Sequence, residues 1–246
     1  MSRESMAYDV VIVGAGPAGL AAACKIKQTN PAYSVCVLEK GSEVGAHILS
    51  GAVFEPTALN ELFPNWQSMS APLNTAVTDD HILLLQAQKQ IRVPGIFAPK
   101  TMKNHGNYII SLGNFCRWLA TQAENLGVEI FPGFSAAEIL YDENDQVMGI
   151  ATGDMGLGKA GEKKDSYMQG MELHAKFTLF AEGCRGHLGK QLINKYQLDK
   201  GKDPQHYGLG IKELWKIPAD QHQPGLVVHS AGWPLSESDT LGGGFL

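Results

Sequence analysis

The chain has 246 residues, of which 44% are hydrophobic and 18% charged, so it is long and apolar enough for one large globular domain or two small ones. This composition excludes an intrinsically disordered chain, and the net charge of −5 gives no reason to expect nucleic acid as a partner. The longest apolar stretch near the start, Val10–Cys24, is interrupted by three glycines and Pro17, so it does not predict a membrane-spanning helix. Asp9 precedes it where a signal peptide would carry basic residues.

The first elements along the chain predict a strand–helix–strand unit. Tyr8–Val13 is a short run rich in valine and isoleucine, which is typical of a strand buried on both faces. An alanine-rich helix follows and must end near Thr29–Asn30, because Pro31 cannot continue it. A second apolar run predicts a buried strand that ends at Glu39. This order predicts a right-handed βαβ unit and therefore an α/β, Rossmann-like fold.

The middle of the chain predicts less regular structure around one clear helix. A loop at Gly41–Gly51 precedes a short helix near Pro56 and a hairpin over HILLLQAQKQIRVPG. Leu112–Leu126 has an amphipathic pattern, with Ser111 as a natural N-cap and Gly127 after its end. Strands are predicted at VEIFPG and ELHAKFTLFAEG, separated by a hairpin and a flexible glycine-rich excursion. Later short strands are predicted at YGLGIKELWKI and GLVVHSAGWPL.

The turn after the first strand has the spacing of a dinucleotide-binding loop. GAGPAG, residues 14–19, reads G-x-G-x-x-G between a predicted strand and a predicted helix. Gly14 allows the tight turn, Gly16 lets a pyrophosphate approach the backbone, and Gly19 lets helix and strand pack closely. Glu39 is placed to accept hydrogen bonds from the ribose hydroxyls, and its charge disfavours the 2′-phosphate of NADP. The alternative is a tight turn with no ligand.

Both FAD and NAD use such a loop, and two features favour FAD. The unit begins within ten residues of the first one, as in many flavoproteins. Glu182-Gly183 ends a later strand and resembles the second nucleotide-contacting segment of FAD-dependent hydroxylases, which usually reads Asp-Gly. The position before the Leu112–Leu126 helix, often an arginine in those hydroxylases, is Ser111 here. This difference argues against a hydroxylase.

Five sequence segments occur in this order along the chain: EKGSEVGAHILSGAV, NHGNYIISLGNFCRWLATQAENLGVEIFPGFSAAEIL, FAEGCRGHLGKQL, YGLGIKELW and GWPL. Together they resemble the N-terminal part of the electron transfer flavoprotein–ubiquinone oxidoreductases, from Tyr8 to Leu246. The resemblance implies an electron-transferring-flavoprotein dehydrogenase that carries FAD and one [4Fe-4S] cluster. It would take electrons from reduced electron transfer flavoprotein and pass them to ubiquinone at a membrane surface, as a monotopic protein.

The resemblance also implies that the chain is incomplete at its C-terminus. The four cysteines are too far apart for a C-x-x-C unit, so they are expected to be buried thiols of a reducing compartment. The cluster ligands and the iron–sulfur domain are expected beyond Leu246, no metal site is expected here, and this fragment alone is expected to be inactive. The short N-terminus favours the cytoplasmic face of a bacterial inner membrane over the mitochondrial inner membrane.

The resemblance implies an FAD-binding domain at residues 1–192 and the start of a ubiquinone-binding domain at 193–246. An irregular insertion at about 52–104 is expected to face the membrane. It contains an apolar cluster that is either core packing or a membrane contact: Val53, Phe54, Leu59, Leu62, Phe63 and Trp66.

Carried over residue by residue, the resemblance implies a set of cofactor-binding residues and a quinone contact, but no general base. His47 is either a flavin contact or a residue that shapes its loop, and no proton transfer is assigned to it or to His105. The alternative for the glycine pair Gly242-Gly243 is a tight bend. The expected quinone contacts are Gly242 and Gly243, and the expected FAD contacts are Gly14, Gly16, Pro17, Ala18, Gly19, Glu39, Lys40, Gly45, His47, Ser50, Gly51, Glu182 and Gly183.

Two alternatives remain open on the sequence. One is another enzyme of the same fold, an FAD-dependent hydroxylase or an isoprenoid reductase of the geranylgeranyl type. The other is a fragment that keeps the fold but holds no cofactor.

Overall fold

The structure is a computed structural model that describes residues 3–49, 51–238 and 240–246. The chain divides into two compact units. The first contains Met1–Leu49 and Leu112–Gly210, and the second contains Ser50–Ser111 and Ile211–Leu246. Each unit is therefore built from two separate stretches of sequence.

The described residues form fifteen strands, four α-helices and five short 3₁₀ turns. The strands are β1 (Ser5–Val13), β2 (Val35–Glu39), β3 (Ala52–Phe54), β4 (Thr75–Ala76), β5 (Asp79–Gln86), β6 (Lys89–Val93), β7 (Tyr108–Ile110), β8 (Glu129–Pro132), β9 (Ala136–Tyr141), β10 (Val147–Thr152), β11 (Met155–Leu157), β12 (Lys163–Met168), β13 (Glu172–Phe180), β14 (Leu226–Gly232) and β15 (Gly243–Phe245). The α-helices are α1 (Pro17–Thr29), α2 (Thr57–Leu62), α3 (Leu112–Asn125) and α4 (His187–Tyr196). Short 3₁₀ turns cover Trp66–Met69, Gly95–Phe97, Lys100–Met102, Ala219–Gln221 and Leu235–Ser238.

The first unit is organised around a six-stranded sheet in the order β8-β2-β1-β13-β10-β9. β1 pairs in parallel with β2 and β13, and β2 pairs in parallel with β8, whereas β9 and β10 are antiparallel additions at one edge. Val10–Val13 is buried, as the uninterrupted apolar run predicts for a strand covered on both faces. The predicted Rossmann-like α/β class and its βαβ unit are confirmed.

The helices of this unit bury one face each. α1 packs against α3, whose Phe115, Cys116, Leu119 and Ala123 are all buried, in agreement with the predicted amphipathic pattern. Leu188 of α4 is buried in a separate apolar cluster with sheet residues, including Val11 and Leu38. α1 ends at Thr29, one residue before its C-cap, and the Lys27 ammonium donates to the carbonyls of the loop that follows.

The second unit contains a four-stranded sheet, β15-β14-β5-β6, and a three-stranded sheet, β3-β7-β4. The β5–β6 hairpin is the one predicted from sequence. In the predicted apolar cluster, Leu59, Phe63 and Trp66 are buried, and the Trp66 ring lies edge-on to Tyr108 at 5.7 Å. The structure therefore favours core packing over membrane contact for these three side chains.

One prediction about secondary structure is wrong. Residues 203–218 contain no helix or strand, although YGLGIKELWKI has a strand-like pattern, and Leu209 and Leu214 are almost fully exposed. Within the glycine-rich excursion at 153–161, Met155–Leu157 forms β11 and pairs with β12, and the expected flexibility of the excursion stays a prediction. Within the described residues, no helix is both long and apolar enough to cross a bilayer.

Candidate cofactor site

A cavity of about 920 Å³ opens where three parallel strands of the first unit end, beside the C-terminal residues of β1, β2 and β13. Crevices at the carboxyl ends of parallel strands are the usual ligand sites of open α/β sheets, and typical cofactor pockets measure about 300–1,000 Å³. Of the sequence-predicted residues, the following line the cavity: Gly14, Gly16, Pro17, Ala18, Glu39, Lys40, Gly45, His47, Glu182 and Gly183.

Glycine is required at different positions of the loop for different physical reasons. Gly14 adopts φ +107°, and a Cβ there would lie 2.5 Å from the Ala181 carbonyl oxygen. A Cβ on Gly19 would lie 2.0 Å from the Gly14 carbonyl oxygen, so helix and turn meet backbone to backbone. Gly16 differs, because a Cβ there would meet nothing within 4 Å. The structure therefore needs Gly14 and Gly19 for packing, while the space beside Gly16 is open.

The N-terminus of α1 is left without a side-chain cap. Gly16 is the N-cap residue, Pro17 is the first helical residue, and no side chain accepts a hydrogen bond from the first turn. The N–H groups of the first turn therefore have no side-chain partner. This end of the helix, which carries the positive end of the helix dipole, borders the cavity. This arrangement is suited to binding a phosphate group.

The Glu39 carboxylate is held in place by two backbone amides. Its Oε2 accepts from the Ala15 N–H at 3.1 Å, and its Oε1 accepts from the Gly41 N–H at 2.7 Å. A carboxylate has about four acceptor sites, so each oxygen can accept one more hydrogen bond. Since Glu39 is only partly buried and lines the cavity, it can receive the hydroxyl groups of a ligand there.

Glu182 also lines the cavity, but its carboxylate is bound to α4. Oε2 accepts from the Gly189 N–H at 2.8 Å, Oε1 accepts from the Leu188 N–H at 3.3 Å, and Oε1 lies 3.2 Å from His187 Nδ1. The Glu182 side chain is 11% exposed. The carboxylate therefore acts as a remote cap of α4, a role that sequence analysis missed because no pattern links it to that helix.

The loop after β2 rests on the start of α3. A Cβ on Gly45 would lie 2.7 Å from the Gly113 carbonyl oxygen, and Glu43 pairs with Arg117 of α3 at 3.0 Å. This packing places Gly45 and His47 on the cavity wall. Ser50 lies outside the described residues. Gly51 belongs to the second unit, where its carbonyl accepts from the Lys212 ammonium at 3.1 Å.

The predicted quinone contacts, Gly242 and Gly243, also lie in the second unit, at the start of β15. A Cβ on Gly243 would lie 2.1 Å from the Ser230 carbonyl oxygen of β14, and one on Gly242 would lie 2.7 Å from Leu235 Cδ1. Close packing against backbone thus explains Gly243, whereas the Leu235 side chain can move aside for a Cβ at Gly242. The expected contact of Gly242 and Gly243 with quinone stays a prediction.

Several cavity residues were not predicted from sequence. Arg185 lies 4.9 Å from the ring of Tyr207, which holds its guanidinium in a cation–π contact. The remaining unpredicted lining residues come from loops, from the start of α3 and from the ends of strands, and they form no local sequence motif. They include Ile48, Leu112, Phe134, Ser135, Ala136 and Ala181.

The cysteines behave as three buried thiols and one exposed thiol. Desolvation raises the pKa of Cys24 and of Cys36 to about 12, and that of Cys116 to about 11, with a smaller contribution from the nearby Glu39 charge at Cys116. Cys184 is exposed. Among the residues that the structure describes, no group of three or more His, Cys, Asp or Glu side chains could hold a metal ion.

Two family models match parts of the chain. A model described as an NAD(P)-binding Rossmann-like domain matches residues 12–68, which include the glycine loop, α1 and β2. A model described as "ETF-QO, ubiquinone-binding" matches residues 207–246, which include β14 and β15.

Curated relatives match the chain from end to end. It is 65% identical over 252 residues to the electron transfer flavoprotein-ubiquinone oxidoreductase of Pseudomonas aeruginosa, covering 100% of this chain and 46% of that protein. It is 51% identical over 250 residues to the mitochondrial electron transfer flavoprotein-ubiquinone oxidoreductase of Bos taurus, covering 100% of this chain and 40% of that protein. The chain thus spans less than half the length of these relatives.

Solved structures share the fold at low sequence identity. A geranylgeranyl bacteriochlorophyll reductase-like protein from Thermoplasma acidophilum has a TM-score of 0.56 at 18% identity, covering 93% of this chain and 51% of that one. A flavoprotein/dehydrogenase from Cytophaga hutchinsonii has a TM-score of 0.55 at 16% identity, covering 92% and 50%. Likeness at this level shows the fold alone.

Proposed function

We propose, from the premise that this chain belongs to the family of electron transfer flavoprotein–ubiquinone oxidoreductases, that it supplies the FAD-binding part and a quinone-binding part of such an enzyme. The complete enzyme would take electrons from reduced electron transfer flavoprotein and deliver them to ubiquinone. The observation that carries this proposal is the glycine loop with its uncapped helix N-terminus, which borders a cavity of about 920 Å³ beside Glu39.

The residues around the cavity fit FAD. The open space beside Gly16 admits a pyrophosphate to within contact of the backbone, and the first turn of α1 offers its N–H groups. Glu39, oriented by two backbone amides, would bind the ribose hydroxyls and repel a 2′-phosphate. Lys40, Gly45 and His47 would line the remainder of the site.

FAD, when bound, supplies the electron-transfer chemistry that links the protein donor to the quinone. The residues of this chain have other tasks: they bind the cofactor, orient it and exclude water from it. No general base is therefore assigned. For the quinone, we propose contact with the backbone at Gly242 and at Gly243, the first residue of β15, where the absence of side chains lets a planar ring lie against the chain.

The described residues do not fit a [4Fe-4S] cluster. Such a cluster needs closely placed thiolates, whereas three of the four thiols are buried with raised pKa values and no suitable group of ligands is present among the described residues. We therefore assign the cluster, and the iron–sulfur domain, to the part of the longer relatives that this chain does not cover. The division at residue 192 also remains a prediction.

A membrane surface is proposed as the third partner. Ile96 and Phe97, in the turn after β6, are 82% and 75% exposed, and Lys100 and Lys103 follow closely in the chain. An exposed apolar pair beside basic residues suits the interface of a bilayer that contains anionic lipids. This segment lies within the 52–104 insertion that was expected to face the membrane. We propose the cytoplasmic face of a bacterial inner membrane, with the mitochondrial inner membrane as the alternative.

The alternative enzymes, a hydroxylase or an isoprenoid reductase, are supported only by likeness of fold. One experiment separates them from the proposal. Full-length protein loaded with FAD is mixed with reduced electron transfer flavoprotein and ubiquinone-1, and quinone reduction is followed by absorbance. Turnover with this donor is expected. Fast flavin reduction by NADPH with no turnover from electron transfer flavoprotein would overturn the proposal.

The chain by itself is expected to be inactive in quinone reduction, because it lacks more than half the length of its relatives. Whether it retains FAD is tested by titration. An absorbance band of bound oxidised flavin is expected. A colourless protein that binds no added FAD would instead support the cofactor-free alternative.

A further inference from the structure

A chain of hydrogen bonds links three polar side chains of the second unit. Asn104, which is 7% exposed, donates its backbone N–H to Asp80 Oδ2 at 2.6 Å and its side-chain Nδ2 to Asp80 Oδ1 at 2.8 Å. The same Nδ2 lies 3.3 Å from His229 Nε2. No predicted site residue takes part in this network, and the proposed function does not use it.

The orientation of the Asn104 amide is fixed by its neighbours. Its Nδ2 faces a carboxylate oxygen, which can only accept, and its Oδ1 accepts from Asn107 Nδ2 at 3.2 Å. A flipped amide would place two acceptors against each other. The nitrogen that faces His229 is therefore a donor. One of its hydrogens is directed to Asp80, and the other is shared between the Met102 carbonyl, 3.4 Å away, and Nε2 of the imidazole, which accepts.

This requirement selects one form of His229. An imidazole that accepts at Nε2 is neutral and carries its proton on Nδ1. Within the described part of the chain, Asn104 is the hydrogen-bond partner found for His229, so the Nδ1–H donor remains available. Asp80 orients Asn104, and Asn104 holds the His229 imidazole in the neutral form that donates from Nδ1–H.

Strand register places this donor beside the proposed quinone contact. His229 of β14 pairs with Phe245 of β15, and Ala231 pairs with Gly243. Residues opposite each other share one face of a sheet, and alternate residues of a strand do so too. His229, Phe245 and the bare backbone of Gly243 therefore lie on the same face.

Near Ala231 of β14, the same face of the sheet carries exposed apolar side chains. Leu84 of β5 pairs with Ala231 and with Ile91 of β6, which puts both side chains on the His229 face. Leu84 is 46% exposed, Ile91 is 49% exposed and Phe245 is 60% exposed. The face thus combines one oriented donor with exposed apolar side chains, as a quinone with polar carbonyls and an apolar ring and tail requires.

We propose that His229 donates a hydrogen bond from Nδ1–H to a carbonyl oxygen of the quinone, and that Asn104 and Asp80 are positioning residues that hold it in that form. The inference rests on the proposed quinone site at Gly242 and Gly243, and it gives that site an orientation. The carbonyl end of the quinone lies at His229, and the apolar part lies over Leu84 and Ile91.

The test uses full-length, FAD-loaded protein with reduced electron transfer flavoprotein and ubiquinone-1. His229→Leu removes the donor, and His229→Asn keeps an amide N–H near the Nδ1 position. Because the carbonyl oxygen gains negative charge as the quinone is reduced, this hydrogen bond strengthens in the reacting state, so His229→Leu should raise KM about five- to tenfold and should also lower kcat. His229→Asn should restore most of the wild-type KM, and Asn104→Ala should raise it.

A spectroscopic readout separates hydrogen bonding from structural damage. With ¹³C-carbonyl-labelled ubiquinone bound, the wild type and His229→Asn should show a lowered C=O stretching frequency, which His229→Leu should lose. His81→Leu is the matched control, because His81 lies on the neighbouring strand β5 opposite Val228, and therefore on the other face of the sheet from His229, where it pairs with Asp79 at 2.7 Å. It should leave KM and the carbonyl band unchanged.

The outcomes distinguish this inference from the proposed function. A wild type that does not reduce ubiquinone-1 overturns the proposed function and this inference with it. A wild type that does, together with a His229→Leu variant of equal KM and unshifted carbonyl band, overturns this inference alone. Equal loss in His229→Asn and His229→Leu would likewise overturn it, since ring packing would then explain the effect.

Discussion

A Cβ at Gly14 would lie 2.5 Å from the carbonyl oxygen of Ala181, which is far shorter than any ordinary contact. Gly14 follows β1 and Ala181 follows β13, and the two strands are joined where the Ala181 N–H donates to the Val13 carbonyl at 2.8 Å. The glycine loop is therefore packed against the end of a strand that comes much later in the chain. Its shape therefore depends on β13 as well as on β1.

Gly14→Ala is expected to destabilise the chain by about 2–4 kcal/mol, because it combines a positive-φ position with a backbone clash. The free energy of unfolding of the cofactor-free protein in urea measures this effect. Gly16→Ala is the matched control, since its Cβ would meet no atom within 4 Å. It should cost no more than about 1 kcal/mol, because glycine is favoured over alanine at a helix N-cap.

The same pair of variants tests the cofactor site. Gly16→Ala should weaken FAD binding, measured by flavin fluorescence quenching, because its methyl group occupies the space proposed for the pyrophosphate. Wild-type affinity in Gly16→Ala would contradict that placement. Equal instability of the two variants would contradict the packing argument for Gly14.

Glu182→Ala is expected to lower stability by about 1–2 kcal/mol, the typical value of a helix cap, because its carboxylate accepts from two amides of α4. Glu143→Ala, at an exposed position in the β9–β10 turn, is the control and should have little effect. FAD affinity of Glu182→Ala decides between the two roles of this residue. A large loss of affinity without a loss of stability would favour a direct cofactor contact over capping.

The stability of the first unit should depend on Asp9 at low pH. The Lys176 ammonium, 2.7 Å away, and the Ser34 N–H and O–H groups lower the pKa of Asp9 to about 2. A lowered pKa in the folded state stabilises above the unfolded pKa of about 3.9, and this contribution disappears as pH falls toward 2. The difference in unfolding free energy between wild type and Asp9→Asn should therefore be constant near neutral pH and shrink below about pH 4. A difference that does not change with pH would contradict this assignment.

Thiol labelling should distinguish Cys184 from the other three cysteines. Cys24, Cys36 and Cys116 are buried and their pKa values are raised, so little reactive thiolate forms at neutral pH. Ellman's reagent at pH 8 should release one fast equivalent from the native chain, none from Cys184→Ser, and four from the wild type in guanidinium. A second fast equivalent in the native state would show that one of the three buried sites opens readily.

Replacing both Ile96 and Phe97 by serine should weaken binding to vesicles of mixed neutral and anionic lipid, since the pair is the exposed apolar part of its turn. Sedimentation with the vesicles measures the bound fraction of full-length protein. Leu209→Ser, at an even more exposed apolar position in a different segment, is the control. Equal losses in the two variants would argue against a specific membrane contact at Ile96 and Phe97.

The elements that sequence predicts well are those with a strong local signal. Val10–Val13 is apolar throughout and forms a strand buried on both faces, and the Leu112–Leu126 pattern forms α3, which ends at Asn125. The glycine loop was predicted because its spacing, its position between strand and helix and the acidic residue that ends the next strand all agree. For these elements, local sequence and tertiary packing favour the same structure.

The failures share a dependence on distant partners. The pattern at 207–217 alternates like a strand, yet a strand forms only when another one offers its backbone groups, and none pairs with it among the described residues. The Glu182 carboxylate caps α4 through a turn that no spacing rule describes. The hydrogen bonds from Asn104 to Asp80 and His229 join three distant parts of the sequence, so only the folded chain reveals them.

The division of each unit between two stretches of sequence has a consequence for synthesis. β5 pairs with β14 from Asp79 and Leu226 onward, and β1 pairs with β13 from Ser5 and Glu172 onward. On the ribosome, one edge of each early strand must wait unpaired until its late partner emerges, and such edges favour aggregation. Soluble yield should therefore depend on the speed of translation and on chaperones, and a gene shortened before β14 should produce a second unit that cannot close its sheet.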